Sequence, residues 1–126
     1  MFFQIILNFF IGLFVGFVLE FIYRSFEFKK LIKPKLIDAQ MYALIAAFLA
    51  FISFLEMHLF FRLILIFIVP TFIEFLTGYL DLKIKKIRLW DYSKEKFNFM
   101  GIICLRFSLY WFLISLGYYY FFLSRF

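Results

Sequence analysis

The sequence predicts an all-α integral membrane protein with four transmembrane helices, and three observations predict it. The chain is 67% hydrophobic and only 17% charged over 126 residues, which is more apolar surface than a soluble domain of that length can bury. Four apolar segments reach the roughly 20 residues that a helix needs to cross a hydrocarbon core about 30 Å thick. Lys and Arg are concentrated in two of the connections, an asymmetry that orients a chain across a membrane. Lipid offers no partner for open backbone groups, and no segment alternates as a barrel strand would, so helix is the predicted state of every span.

The first helix is predicted over residues 2–26, uncharged until Glu20. No basic residue precedes it and Arg24, Lys29 and Lys30 follow it, the pattern of an anchor with its N-terminus outside rather than of a cleaved leader. Pro34 interrupts the basic connection that follows. The second helix is predicted over 39–59, the third over 61–80 with Glu74 inside it, and the fourth over 99–123 with Arg106 inside it. Residues 81–98 form a second basic connection in which Lys and Arg alternate with Ile84, Ile87, Leu89 and Trp90, a mixture suited to lipid headgroups. The whole chain, 1–126, reads as one transmembrane domain.

Charge sets the orientation. Arg24, Lys29, Lys30, Lys33, Lys35, Lys83, Lys85, Lys86, Arg88, Lys94, Lys96 and Arg106 fall on one side of this topology, and only Arg62 and Arg125 on the other. Both basic loops are therefore predicted in the cytoplasm and both termini outside, in the inner membrane of a bacterium. The net charge of +6 is explained by that sorting and calls for no nucleic-acid partner. Trp90 and Tyr92 then fall at the inner interface, where an aromatic belt would put them.

Ionisable groups inside spans are costly, about 2.5–3.5 kcal/mol each at the centre of a helix, and so mark candidate sites. Glu20, Glu74 and Arg106 all fall about two turns from the inner ends of their predicted helices, which suggests one polar layer. Two arrangements of Arg106 remain open: pairing with Glu20 or Glu74, or snorkelling to the inner headgroups. Such a layer could carry a substrate, an ion or a proton, or could merely fix helix register. Asn8, Gly12, Gly16, Glu20 and Arg24 succeed one another every fourth residue, a polar and small stripe whose Gly12 and Gly16 permit close helix approach. Thr77 and Gly78 share an arc with Glu74 on the third helix, and the second helix carries Ala39, Ala43, Ala46, Ala47, Ala50 and Ser53, a small-residue packing surface. Gly101 lies on a small-residue face of the fourth.

Several chemistries are missing. There is no phosphate-binding Gly-x-x-x-x-Gly-Lys-Ser/Thr loop, so an ATPase of that type would have to be a separate subunit. One His and one Cys make a zinc site improbable, and no metal or cofactor is expected. Glu20, Asp91 and Cys104 at the inner interface are the residues a lipid-modifying enzyme would use, but no nucleophile–base pair is visible and no catalytic residue is assigned.

Three blocks of residues resemble a known family. Gly16-x-x-x-Glu20-x-x-Tyr23-Arg24, Glu74-x-x-Thr77-Gly78, and Trp90-Asp91-Tyr92-Ser93 followed by Phe97-Asn98-x-x-Gly101-x-Ile103-Cys104-x-x-x-Ser108-x-x-Trp111 resemble the signatures of the bacterial ABC-transporter type IV membrane family. The residues before and at the start of the second helix, Lys33-Pro34-Lys35-Leu36-Ile37-Asp38-Ala39-Gln40, depart from the family's Gly/Pro/Cys-rich stretch. The resemblance implies a four-helix membrane fold and a link to transport, with no mechanism attached. It makes the leading expectation a permease-like membrane subunit in a homo-oligomer or hetero-complex, alongside a separate ATPase. The alternative is a non-transporting interaction or regulatory protein that binds lipid or another membrane protein.

Overall fold

The computed structural model describes residues 1–28, 36–86 and 90–123. Lys29, Lys30, Lys33, Pro34 and Lys35 of the first basic connection, with Ile87, Arg88, Leu89 and Arg125, lie outside the described residues. The described residues are mostly helical, with one short two-stranded hairpin and irregular segments at 54–58 and 90–97, and the chain falls into two compact units, Met1–Leu55 and Glu56–Phe126.

The first unit is a pair of helices, α1 (Phe2–Phe28) and α2 (Leu36–Ser53). The faces that meet are the small ones. Ala39, Ala43, Ala46 and Ala50 of α2 are buried, as are Asn8, Gly12 and Gly16 of α1. A Cβ at Gly12 would lie 2.6 Å from Ala46 Cβ and 2.8 Å from the Tyr42 carbonyl oxygen, so the helices touch backbone to backbone. The large side chains of α1, among them Phe3, Phe10 and Phe14, point outward and are exposed, as lipid-facing residues would be.

α2 stops six residues short of its predicted end. Ser53 Oγ donates to the Ala50 carbonyl (2.6 Å), and the amides of Phe54 and Leu55 bond back to Phe51 and Ile52 over three residues instead of four. These tighter bonds close the helix. The next helix starts at His58, whose Nδ1 accepts the amide proton of Phe60 (3.1 Å).

The second unit is built on α3 (Leu59–Leu80), which continues as a wider turn over Asp81–Lys85 and ends where Lys86 adopts a left-handed conformation, φ 56°. A two-stranded hairpin, β1 (Asn98–Phe99) and β2 (Ile103–Cys104), leads into α4 (Leu105–Gly117) and a final wider turn, Tyr118–Phe122. α3 and α4 run antiparallel: Arg62 donates to the Tyr119 hydroxyl, Phe67 meets Phe112 edge to face, and Gly78 meets Ile102 just before α4. Ile66, Pro70, Glu74 and Gly78 form the buried stripe of α3, with Ser108, Trp111 and Ser115 on α4.

Two helical stretches, Phe2–Tyr23 and Leu59–Ile84, are long and apolar enough to cross a membrane. Ala39–Ser53 is apolar but shorter. α4 begins at Leu105, six residues later than its apolar run suggested, because the segment before it folds as the hairpin. Met100 (φ 58°) and Gly101 (φ 69°) form the tight turn, closed by the Ile102 amide on the Phe99 carbonyl (3.0 Å). Two successive positive φ angles are what a mirror-image hairpin turn demands.

Candidate functional site

Residues 90–104 fold into a cap on the last turns of α3. Glu74 is 2% exposed, and its Oε2 accepts a hydrogen bond from the Tyr92 hydroxyl at 3.0 Å. One turn further on, Gly78 makes room for the cap: a Cβ there would lie 2.7 Å from Ile102 Cγ2 and 3.0 Å from the Trp90 ring. The Trp90 indole N–H donates to the Ile102 carbonyl (2.7 Å), tying the start of the cap to the hairpin turn. Thr77 turns its hydroxyl back to the Ile73 carbonyl (2.9 Å), within α3.

The cap is organised from inside as well. The Tyr92 amide donates to the Gly101 carbonyl (2.8 Å), and its ring stacks on Phe107 of α4, with centroids 4.7 Å apart and planes 7° from parallel. Asn98 holds three backbone groups: its amide donates to the carbonyls of Glu95 (2.8 Å) and Ser93 (3.4 Å), and its Oδ1 accepts the Gly101 amide proton (3.1 Å). Asp91 accepts the Ser93 amide proton (2.9 Å), an Asx turn. A positive φ at Phe97 (56°) and at Met100 costs about 1–2 kcal/mol for such bulky residues, so this network must outweigh that strain.

The site differs from the sequence expectation in two respects. Arg106 is the second residue of α4, since the hairpin displaces the helix start, and so it lies at the end of the helix rather than two turns inside it. Its side chain is 56% exposed and pairs with Glu95 (3.1 Å) and the Tyr110 hydroxyl (3.0 Å), while Glu74 takes Tyr92. Within this unit Arg106 and Glu74 therefore bond to different partners. Trp90 and Tyr92, expected as belt residues reaching for headgroups, spend their polar atoms on Ile102 and Glu74.

In the first unit Glu20 accepts from the Tyr42 hydroxyl (3.2 Å), and the Tyr42 ring fills the space left by Gly16. Tyr42 escaped the sequence reading, although it shares the face of Ala39 and Ala46 by helical spacing and was the one polar aromatic there. Arg24 lies in α1. Among the described residues no three His, Cys, Asp or Glu side chains come together as metal ligands.

Two helical stretches long and apolar enough to cross a membrane, one of them carrying a buried carboxylate under a folded aromatic cap, fit the class of helical membrane proteins. The cap is built from the same Trp90–Ser93 and Phe97–Cys104 blocks that carry the resemblance noted above. The chain belongs to the family described as "Putative ABC-transporter type IV", whose model matches residues 7–126. No curated protein and no solved structure matches it.

Proposed function

We propose that the chain is the membrane-embedded subunit of an ABC-type transport system. In this reading it crosses the inner membrane four times, with both termini outside and both basic loops in the cytoplasm. It is not itself an enzyme, and it works in a homo-oligomer or hetero-complex with a separate ATPase.

Family membership supports the transport class. The observation that carries the reading is the bond between Glu74 and Tyr92. It joins a carboxylate inside a span-length helix to a folded segment that the charge asymmetry assigns to the cytoplasm. An intramembrane ionisable residue is costly and so marks a functional position, and a partner docked on the cap could bias it through Tyr92. The sequence has no phosphate-binding loop of the Gly-x-x-x-x-Gly-Lys-Ser/Thr type, so in this reading an ATPase of that type is another chain.

Purification of the full-length protein in mild detergent should recover an ATPase subunit. Glu74→Gln should abolish the associated uptake or export while leaving the protein folded and in the membrane. Recovery without any ATPase, together with unaltered transport phenotypes in Glu74→Gln and Glu20→Gln, would sink the proposal.

A further inference from the structure

The aromatic residues that hydropathy assigned to the lipid interface turn inward, yet the cap presents a different apolar set. Phe97 is 80% exposed, Phe99 57% and Met100 46%. They flank the hairpin turn, and two of them hold a left-handed backbone that bulky residues rarely adopt. Strain of that kind persists where the surrounding structure imposes it for a purpose. Here the Leu105 amide on the Phe97 carbonyl (3.3 Å) and the Asn98 network impose it, and the result is an apolar tip pointing away from the cap's own core.

The depth of that tip follows from what the cap touches on α3. Tyr92 reaches Glu74, the Phe99 ring lies 5.7 Å from that of Phe75, and Ile102 lies against Gly78. At 1.5 Å per residue, positions 74–78 are about 3–9 Å short of Leu80, the last residue of α3 before the charged Asp81 and Lys83. The hairpin thus runs beside a span, not beyond it. Its strand edges keep it out of the hydrocarbon centre, where open backbone groups have no partner. The headgroup and upper acyl region satisfies both limits.

The charges agree. Lys94 and Lys96 are exposed beside the tip. The acid between them, Glu95, is occupied by Arg106 at 3.1 Å, and Asp91 is folded back on the Ser93 amide. Lys83 and Lys86, at the end of α3, are exposed as well.

We propose that the cap is an interfacial anchor for anionic phospholipid: Phe97, Phe99 and Met100 sit among the upper acyl chains while Lys94 and Lys96 take the headgroup phosphates. The inference goes beyond the transport reading. It needs α3 to be a span, and it holds whether or not an ATPase binds.

The test uses the full-length protein with Cys104→Ser and Phe97→Cys, labelled with bimane and reconstituted in vesicles of phosphatidylcholine with phosphatidylglycerol. The label at Met100→Cys serves as a second site should the first variant fold poorly. Lipids spin-labelled near the headgroup should quench the probe more than deep-labelled lipids or aqueous iodide do. Spin-labelled phosphatidylglycerol should quench more than its phosphatidylcholine counterpart, and Lys94→Gln with Lys96→Gln should reduce that preference by roughly fivefold per lysine. Quenching by iodide alone places the tip in water and overturns the proposal. Shielding from both quenchers means that a protein covers the tip, and overturns it too. Lipid quenching with no preference for phosphatidylglycerol removes the anionic anchor. Quencher lipids in both leaflets make each outcome independent of the side on which the cap lies, so the transport reading can fail without affecting this result.

Discussion

Gly12→Leu should separate α1 from α2. Even alanine at this position meets backbone, since its Cβ would lie 2.8 Å from the Tyr42 carbonyl oxygen, 3.0 Å from Ala43 Cα and 2.6 Å from Ala46 Cβ. Nothing there can rotate away, so the helices must move apart and the packing of the four buried alanines loosens along the whole face. Overpacking of this kind costs about 1–3 kcal/mol for small additions and more for Leu. Gly16→Leu meets the Tyr42 side chain at 2.7 Å and also pushes its hydroxyl off Glu20, so it should destabilise by a similar amount. The control is Gly117→Ala. Nothing lies within 4 Å of a Cβ there, and the gain in helix propensity, about 0.5–1 kcal/mol, should leave that variant as stable as the parent or slightly more so. Thermal unfolding in one detergent ranks the three. Equal stability of Gly12→Ala and Gly117→Ala would contradict the close approach of α1 and α2.

The second large effect concerns Glu74. Glu74→Gln and Glu74→Leu both remove the charge, so both escape whatever that charge costs in the membrane. They differ in the acceptor offered to Tyr92. Gln keeps a carbonyl oxygen near the position of Oε2, while Leu leaves the hydroxyl facing an apolar surface. A part-buried hydroxyl that loses its acceptor costs about 1–3 kcal/mol. Glu74→Leu should therefore be the less stable of the two by that margin, and its cap should loosen. Cys104, 2% exposed in the strand that leads into α4, is a native reporter of the loosening. Its reaction with a small maleimide should be slow in the parent and in Glu74→Gln, and clearly faster in Glu74→Leu. Equal rates in the two variants would mean that the carboxylate does not hold the cap.

Much of this was legible residue by residue, and the exceptions have physical causes. The stripe from Asn8 to Glu20 is a fourth-residue repeat, and helical geometry puts such positions on one face regardless of tertiary detail. The Ala face of α2 is legible for the same reason. The start of α4 was not. Residues 99–105 are apolar almost throughout, and a hydropathy window scores a packed hairpin and the end of a span alike. The turn signal was present in Asn98 and Gly101, but left-handed backbone at Phe97 and Met100 has no local signature in such residue types. Missing the hairpin misplaced Arg106 by about two turns, and the expected pairing with Glu74 gave way to Glu95. The partners themselves, Tyr42 for Glu20, Tyr92 for Glu74 and Glu95 for Arg106, are tertiary choices. Spacing along the chain cannot select them.

The family blocks gain a physical meaning from this arrangement. Trp90, Tyr92, Asn98, Gly101 and Cys104 belong to the cap, and Glu74, Thr77 and Gly78 to the turns of α3 beneath it. They form one structure with two halves, and at Gly78 there is no room for a Cβ between them. The claim that the cap is docked on α3 through the intramembrane carboxylate is most directly tested by a double-mutant cycle on thermal stability. Tyr92→Phe should destabilise the parent by about 1 kcal/mol, through loss of its bond to Glu74. In the Glu74→Leu background the same substitution should cost nothing or restore stability, because the stranded hydroxyl is then removed. An identical loss from Tyr92→Phe in both backgrounds would show that the two side chains do not interact, and would contradict the docking of the cap.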